Sequence, residues 1–115
     1  MRITSEFWVA AYVRRRNAGG AFAAVLRRGA SEAGAIFVKI NRLDGTVDLY
    51  GPAPQVLIEE GDAAGRLFEC LARATAERDI DERLARERSF DPDIWVVEVE
   101  DRTGEPGLEI VSGAE

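Results

Sequence analysis

The chain has 115 residues, of which 46% are hydrophobic and 31% are charged, so its composition is that of a globular domain rather than a disordered segment. It contains no histidine and one cysteine, which excludes Ser-His-Asp and Cys-His catalysis, Cys/His zinc sites and internal disulfides. The net charge of −6 disfavours nucleic acid as a partner, and no apolar run approaches the ~20 residues that span a membrane.

These limits lead us to expect one cytoplasmic domain over residues 1–115, without a cofactor, a metal site or a membrane anchor. A lone cysteine fits a reducing compartment, and the sequence has no segment with the pattern of a secretory signal. We interpret Cys70 as a buried core thiol, because free cysteines are among the most buried residues and no histidine is present to activate this one.

The first predicted element is a helix from Ser5 to Ala18. Ser or Thr can cap its start, arginines fill its last turn, and Gly19 follows as a stop signal. The apolar stretch Phe7–Val13 extends almost all the way round this helix, which predicts more than one packed face. We expect one face to lie on a sheet and the other to be covered by a second subunit.

Three strands are predicted next, at residues 22–27, 35–41 and 46–50. Asp44-Gly45 is the hairpin signal that joins the last two. In the middle strand, alternation places two sets of side chains on opposite faces, one set being Ile36, Val38 and Ile40 and the other Phe37, Lys39 and Asn41.

The second half of the chain is less regular. Residues 66–75 fit either a helix or a strand, and we favour a strand. Asp79 and Glu82 resemble a capping box that opens a helix to about Arg88, with Ile80 and Leu84 facing inward. A strand at 94–100 follows, and residues 104–115 form either a frayed tail or a short edge strand at 108–111.

Together these elements predict an α+β domain of two layers. Two helices would cover a mainly antiparallel sheet of about four to five strands, the first three of them forming a meander.

Charge is distributed unevenly along the chain. Residues 1–42 hold eight basic and two acidic side chains, whereas residues 43–115 hold seven basic and nineteen acidic ones. This split indicates either an anion-binding face or two halves that neutralise each other. The candidate anion-binding residues are Arg15, Arg27 and Arg28, although consecutive helical arginines point about 100° apart and also complement the helix dipole.

Two further groups of residues are candidate sites. The acidic residues between 91 and 101 either flank a proline turn or alternate with valines along a strand, so we expect no metal there. The aromatic candidates for an interface are Trp8, Tyr12 and Phe37. Phe37 shares a strand face with Lys39 and Asn41, so either the first helix covers this face or a partner does.

Two stretches, residues 27–45 and 90–102, resemble a family of small alphaproteobacterial proteins known only as a domain of unknown function, family 1491. The opening Thr4-Ser5-Glu6-Phe7-Trp8 shares the resemblance, which covers about residues 3 to 103. It implies a bacterial, cytoplasmic, stand-alone domain, and it supplies no activity and no catalytic residues.

The resulting functional hypothesis is a non-catalytic protein-interaction or anionic-ligand-binding module that forms a homodimer. Two alternatives remain open at this point. One is a small enzyme that acts on a phosphorylated or carboxylated metabolite through arginines and carboxylates, and the other is RNA binding through the basic N-terminal part.

Overall fold

A computed structural model of the protein describes residues 3–54 and 66–111, which form two helices and six strands. The helices are α1 (Ser5–Ala18) and α2 (Glu77–Phe90). The strands are β1 (Phe22–Arg27), β2 (Ile36–Asn41), β3 (Thr46–Pro52), β4 (Leu67–Ala76), β5 (Trp95–Glu100) and β6 (Glu109–Ile110). The predicted α+β class is confirmed, as are both helices and the short edge strand near residue 110.

The six strands form one mixed sheet in the order β1-β5-β2-β3-β4-β6. The pairs β2/β5 and β4/β6 are parallel and the other neighbours are antiparallel. The prediction of four to five mainly antiparallel strands is therefore corrected to six strands in a mixed sheet. Its meander of the first three strands is wrong, because β5 enters between β1 and β2 after α2 has carried the chain back across the sheet.

Each face of the sheet has its own apolar core. On the first face, Ile36, Val38 and Ile40 of β2 pack with Val9 and Tyr12 of α1. The alternation predicted for β2 is confirmed, since the intervening side chains belong to the second face.

Helix α2 covers the second face. Its Ile80 and Leu84 point inward, as predicted, and they pack with Phe37 of β2. The expectation that the first helix or a partner covers the Phe37 side is wrong, because α2 occupies that position. With one helix on each face, the domain has three layers rather than the two predicted.

The two helices begin in different ways. Thr4 caps α1 as predicted, its hydroxyl accepting a hydrogen bond from the Phe7 amide. The capping box predicted at Asp79 is wrong, because α2 begins at Glu77 directly after β4 and has no side-chain cap. The Gly45 carbonyl of the β2–β3 hairpin accepts from the Glu77 amide instead. Neither helix of the described ranges has the length and apolar character of a membrane-spanning segment.

Residues 67–75 all lie in β4, so the strand interpretation of this stretch is confirmed. The interpretation of Cys70 as a core thiol is wrong, because its side chain is exposed. Cys70 lies opposite Tyr50 in the register of β3 and β4, whereas the main contacts of α1 are with β1 and β5.

A buried ion pair stabilises the region where β3 meets β4. Asp48 is fully buried, and the Arg42 guanidinium donates to both of its carboxylate oxygens at 2.8 to 3.1 Å. The Ala74 amide donates to the same carboxylate at 2.6 Å. This bond holds Ala74 at a φ of 48°, a left-handed conformation that is uncommon for alanine, beside the irregular register of β3 and β4.

Candidate functional site

The three arginines predicted as an anion site lie at opposite ends of α1 and the strand β1 beneath it. Arg15 is at the end of α1, where it donates to the Gly107 carbonyl and lies over the Tyr12 ring. Arg27 and Arg28 are at the far end of β1, and Arg28 pairs with Glu6 at the start of α1 at 2.9 Å. Glu6 and Arg15 are separated by about 13 Å of helix. The structure therefore does not bring the three arginines into one patch.

The three aromatic residues predicted at an interface have different surroundings. Tyr12 is buried and donates to the Pro106 carbonyl at 2.6 Å. Phe37 is also buried, under α2. Trp8 is half-buried, stacking on Tyr12 and packing on Phe68. Only Trp8 of the three offers part of its side chain to the surface.

Other large apolar residues are more exposed than those predicted. On β1 these are Phe22, Val25 and Leu26, and on α1 the exposed residue is Phe7. Sequence patterns did not distinguish them from core residues, because exposure at the edge of a sheet depends on which strand has a neighbour.

The second face of the sheet carries a charged cluster around Lys39, which is the lysine of β2 and the only one in the chain. The Lys39 ammonium lies 2.9 Å from Glu77, 2.8 Å from Asp81 and 3.8 Å from Glu98. Asn41 donates to the other oxygen of Glu98 at 3.0 Å. We call this group the Lys39 cluster. The alternation along β2 placed Lys39 on this face, but its partners come from elements that are distant in sequence.

The Lys39 side chain is 5% exposed and remains charged. Burial alone lowers the pKa of an ammonium, but the hydrogen bonds to Asp81 and Glu77 outweigh this effect, so the pKa of Lys39 is raised. A lysine in this state is neither a nucleophile nor a general base at neutral pH. The cluster therefore joins α2 to the sheet and does not supply a reactive amine.

A cleft lies beside the Lys39 cluster, between the end of β1 and α2. Its volume is about 310 Å³. We call it the β1–α2 cleft, and it is lined by Leu26, Arg27, Asp81, Leu84, Ala85, Arg88, Ile94 and Val96. It exists because α2 packs mainly on β3 and β4, leaving the surface of β1 and the start of β5 uncovered on this face.

The cleft is lined by apolar side chains and by three charged ones, Arg27, Arg88 and Asp81. Leu84, Ile94 and Val96 are almost fully buried and form the floor. Arg27 is held by a hydrogen bond from its Nη2 to the Pro92 carbonyl. Arg88 makes no side-chain hydrogen bond or ion pair within the part of the chain that the structure describes. Sequence analysis identified Arg27 but not Arg88, because nothing in the sequence distinguishes Arg88 from the other arginines of α2.

A second and larger groove, of about 730 Å³, lies at the other end of β1. It is lined by three arginines and three carboxylates, namely Arg15, Arg16, Arg102, Glu100, Asp101 and Glu105, together with small residues and Leu43. Arg16 and Asp101 form an ion pair at 3.0 Å. Its charges are balanced in number and partly paired, so this groove offers no clear preference for an anion.

The described residues, 3–54 and 66–111, contain no group of three or more carboxylate or thiol side chains arranged to hold a metal ion. The carboxylates that converge in the Lys39 cluster surround an ammonium instead.

Comparison with known proteins identifies the relatives of this fold. The model of the family described as "Protein of unknown function (DUF1491)" matches residues 3–109. No curated protein matches the chain.

Three solved structures are similar to the chain over most of its length. A crystal structure of a DUF1491 family protein from Caulobacter crescentus has a TM-score of 0.77 and 39% identity, covering 97% of this chain and 100% of that one. An NMR structure of a DUF1491 family protein from the same organism gives 0.76 and 41%, with coverage of 97% and 99%. The solution structure of a protein from A. tumefaciens gives 0.75 and 48%, covering 87% and 86%.

Proposed function

The chain belongs to the DUF1491 family of proteins of unknown function, and we propose that it is a non-catalytic binding module for a small anionic ligand. The observation that carries this proposal is the β1–α2 cleft, in which Arg27 and Arg88 line one concave surface together with apolar side chains and the Asp81 carboxylate. Ligand sites in proteins are typically concave and mostly apolar, with a few polar groups that fix the orientation of the ligand.

The ionisable groups argue against catalysis. Efficient general bases have a pKa near the working pH. Burial raises the pKa of Tyr12 to about 12 and also raises the pKa of Tyr50, while Lys39 stays protonated among its carboxylates. The alternative of a small enzyme therefore lacks a residue whose pKa is tuned toward neutrality among these buried groups.

The geometry also disfavours RNA binding through the N-terminal part. Such binding requires basic side chains that follow one surface, with aromatic side chains for stacking. Arg15 lies near the end of α1, whereas Arg28 lies near its start and is paired with Glu6. This alternative would be supported by RNA binding whose affinity falls steeply with added salt.

The test is a thermal-shift panel of anionic, cationic and neutral small molecules on the wild-type protein and on Ala85→Phe. Ala85 is exposed on α2 and lines the cleft, so phenylalanine at this position should fill it. The matched control is Ala11→Phe on the exposed surface of α1. We expect at least one anion to raise the melting temperature of the wild type and of Ala11→Phe but not of Ala85→Phe. If Ala85→Phe leaves the response to every compound unchanged, the cleft is not the binding site.

Self-association is a second candidate function, favoured by the exposed apolar side chains of β1. Phe22 is 60% exposed and Leu26 is 54% exposed on a strand at the end of the sheet. Their burial in a homodimer would be favourable. Sedimentation over a range of concentrations should then detect a dimer that Phe22→Ser weakens. Phe90→Ser, at a more exposed phenylalanine on α2, is the control and should leave the dimer intact. A monomer at every concentration contradicts this candidate.

A further inference from the structure

The size of the β1–α2 cleft limits what it can hold. Its volume of about 310 Å³ lies at the lower end of the range of roughly 300–1,000 Å³ for small-molecule sites. The floor of Leu84, Ile94 and Val96 offers no hydrogen-bonding side chain. The apolar side of the cleft therefore suits a compact apolar chain, and a charged group would lie beside the arginines.

The charge around the cleft favours one negative charge over two. Arg27 already uses Nη2 on the Pro92 carbonyl. The adjacent Lys39 cluster has one ammonium and three carboxylates, which leaves it negatively charged. Arg88 and Leu84 lie in the C-terminal half of α2, where the helix dipole is also negative. A phosphate dianion is disfavoured by these groups because it carries a second negative charge, while a carboxylate carries one and can still accept two hydrogen bonds from a guanidinium.

The edge of β1 disfavours a peptide as the source of that carboxylate. Peptides that bind beside an edge strand usually add to its backbone hydrogen-bond ladder. Here the Asn17 carboxamide donates to the Ala23 carbonyl at 3.1 Å and accepts from the Ala23 amide at 2.8 Å. An irregularity between Val25 and Arg27 interrupts the strand further along. The edge of β1 is thus occupied at Ala23 and irregular beside the cleft, which leaves little of its backbone for a peptide to pair with.

From these three features we propose that the β1–α2 cleft binds a free monocarboxylate with a compact apolar chain, about the size of hexanoate. The apolar chain lies on Leu84, Ile94 and Val96, and the carboxylate accepts hydrogen bonds from Arg88 and Arg27. This inference rests on the anion-binding function proposed above and specifies the chemical class of its ligand.

The experiment is a titration of the isotope-labelled protein, followed by amide chemical shifts, with hexanoate, hexanol and hexylamine. These probes share one chain and differ in the charge of the head group. Arg88→Gln removes one guanidinium without breaking a described contact, and Arg86→Gln, on the exposed side of the same helix, is the matched control. We expect hexanoate to shift the cleft amides with a dissociation constant on the order of millimolar. Arg88→Gln should weaken this binding about tenfold, and Arg86→Gln should not change it.

Each other outcome overturns the inference. If hexanol or hexylamine binds as well as hexanoate, or if Arg88→Gln has no effect, the carboxylate is not what the cleft recognises. If inorganic phosphate displaces hexanoate, or if acetyl-Ala-Ala-Leu with a free carboxylate binds more tightly, the ligand is a phosphate or a peptide. If hexanoate does not bind but another anion raises the melting temperature of the wild type and not that of Ala85→Phe, the monocarboxylate inference is wrong while the proposed binding function stands. If no compound changes the melting temperature of the wild type more than that of Ala85→Phe, the proposed binding function is wrong as well.

Discussion

Lys39 and Asp81 connect the centre of the sheet to α2, with 2.8 Å between the ammonium nitrogen and one carboxylate oxygen, while Asp81 also forms part of the wall of the β1–α2 cleft. One side chain therefore contributes both to the packing of α2 and to the electrostatics of the candidate site. Because Lys39 is buried and Asp81 is half-exposed, we expect a substitution at Lys39 to lower the free energy of unfolding more than one at Asp81.

Asp81→Asn tests this double role. The substitution keeps the size of the side chain but removes a charged partner of Lys39, so we expect the free energy of unfolding to fall by about 1 kcal/mol, measured by urea denaturation. Removing a negative charge from the cleft wall should also tighten hexanoate binding. Glu82→Gln, at an exposed carboxylate of α2 beyond its first turn, is the control. Equal effects of the two substitutions would show that the contact with Lys39 contributes nothing.

Tyr12→Phe should change the alkaline stability of the protein. Burial raises the pKa of Tyr12 to about 12, so the folded protein holds this proton more tightly than the unfolded chain does. The resulting stability is fully present below the unfolded pKa of about 10 and is lost as the pH rises toward about 12, a loss of about 2–3 kcal/mol. The variant lacks the hydrogen bond to Pro106 and should be about 1 kcal/mol less stable at neutral pH.

The same variant should lose less stability than the wild type between about pH 10 and pH 12, because it has no phenol at this position. Urea unfolding across this range measures the difference. Parallel stability curves for the two proteins would contradict the raised pKa.

The buried ion pair of Asp48 and Arg42 should contribute more to the free energy of unfolding than the exposed pair of Glu6 and Arg28. Asp48→Asn leaves the Arg42 guanidinium without a carboxylate in a site where Asp48 is fully buried, so we expect a loss of about 2 kcal/mol or more. Glu6→Gln breaks the pair with Arg28, in which both side chains are more than half exposed, and should cost less than about 1 kcal/mol. Urea denaturation of both variants decides the point, and a larger loss for Glu6→Gln contradicts it.

Gly29 lies where the chain after β1 passes close to the backbone of Asp93 and Ile94, just before β5. A Cβ at Gly29 would overlap the Asp93 carbonyl oxygen and the backbone of Ile94, which can only move if β5 moves. We expect Gly29→Ala to lower stability by about 3 kcal/mol or more. Gly19→Ala is the matched control, because its Cβ would meet ordinary contacts of 3.5 Å at an unstrained backbone position. Similar melting temperatures for the two variants would exclude a packing role for Gly29.

Local sequence signals were sufficient for much of the fold. The bounds of α1, the alternation in β2 and the inward faces of Ile80 and Leu84 were all predicted from cap residues and periodicity. These features depend on residues that lie within a few positions of each other, which is why a single sequence can reveal them.

The features that were missed depend on residues distant in sequence. The insertion of β5 beside β2 depends on long-range pairing, and the start of α2 is set by the Gly45 carbonyl. The exposure of Cys70 depends on where α1 packs, which is mainly on β1 and β5. The cleft has the same origin, since Arg27 and Arg88 come together only through the position of α2 on the sheet.

The most direct test of the central claim is the observation of intermolecular nuclear Overhauser effects between hexanoate and the methyl groups of the protein. If the β1–α2 cleft is the binding site, the methylene protons of hexanoate should give these effects to the methyl groups of Leu26, Leu84 and Ile94, which line the cleft. Effects to Leu43 and Ala21 in the groove at the other end of β1, or none from a bound ligand to the cleft, would contradict the proposed site.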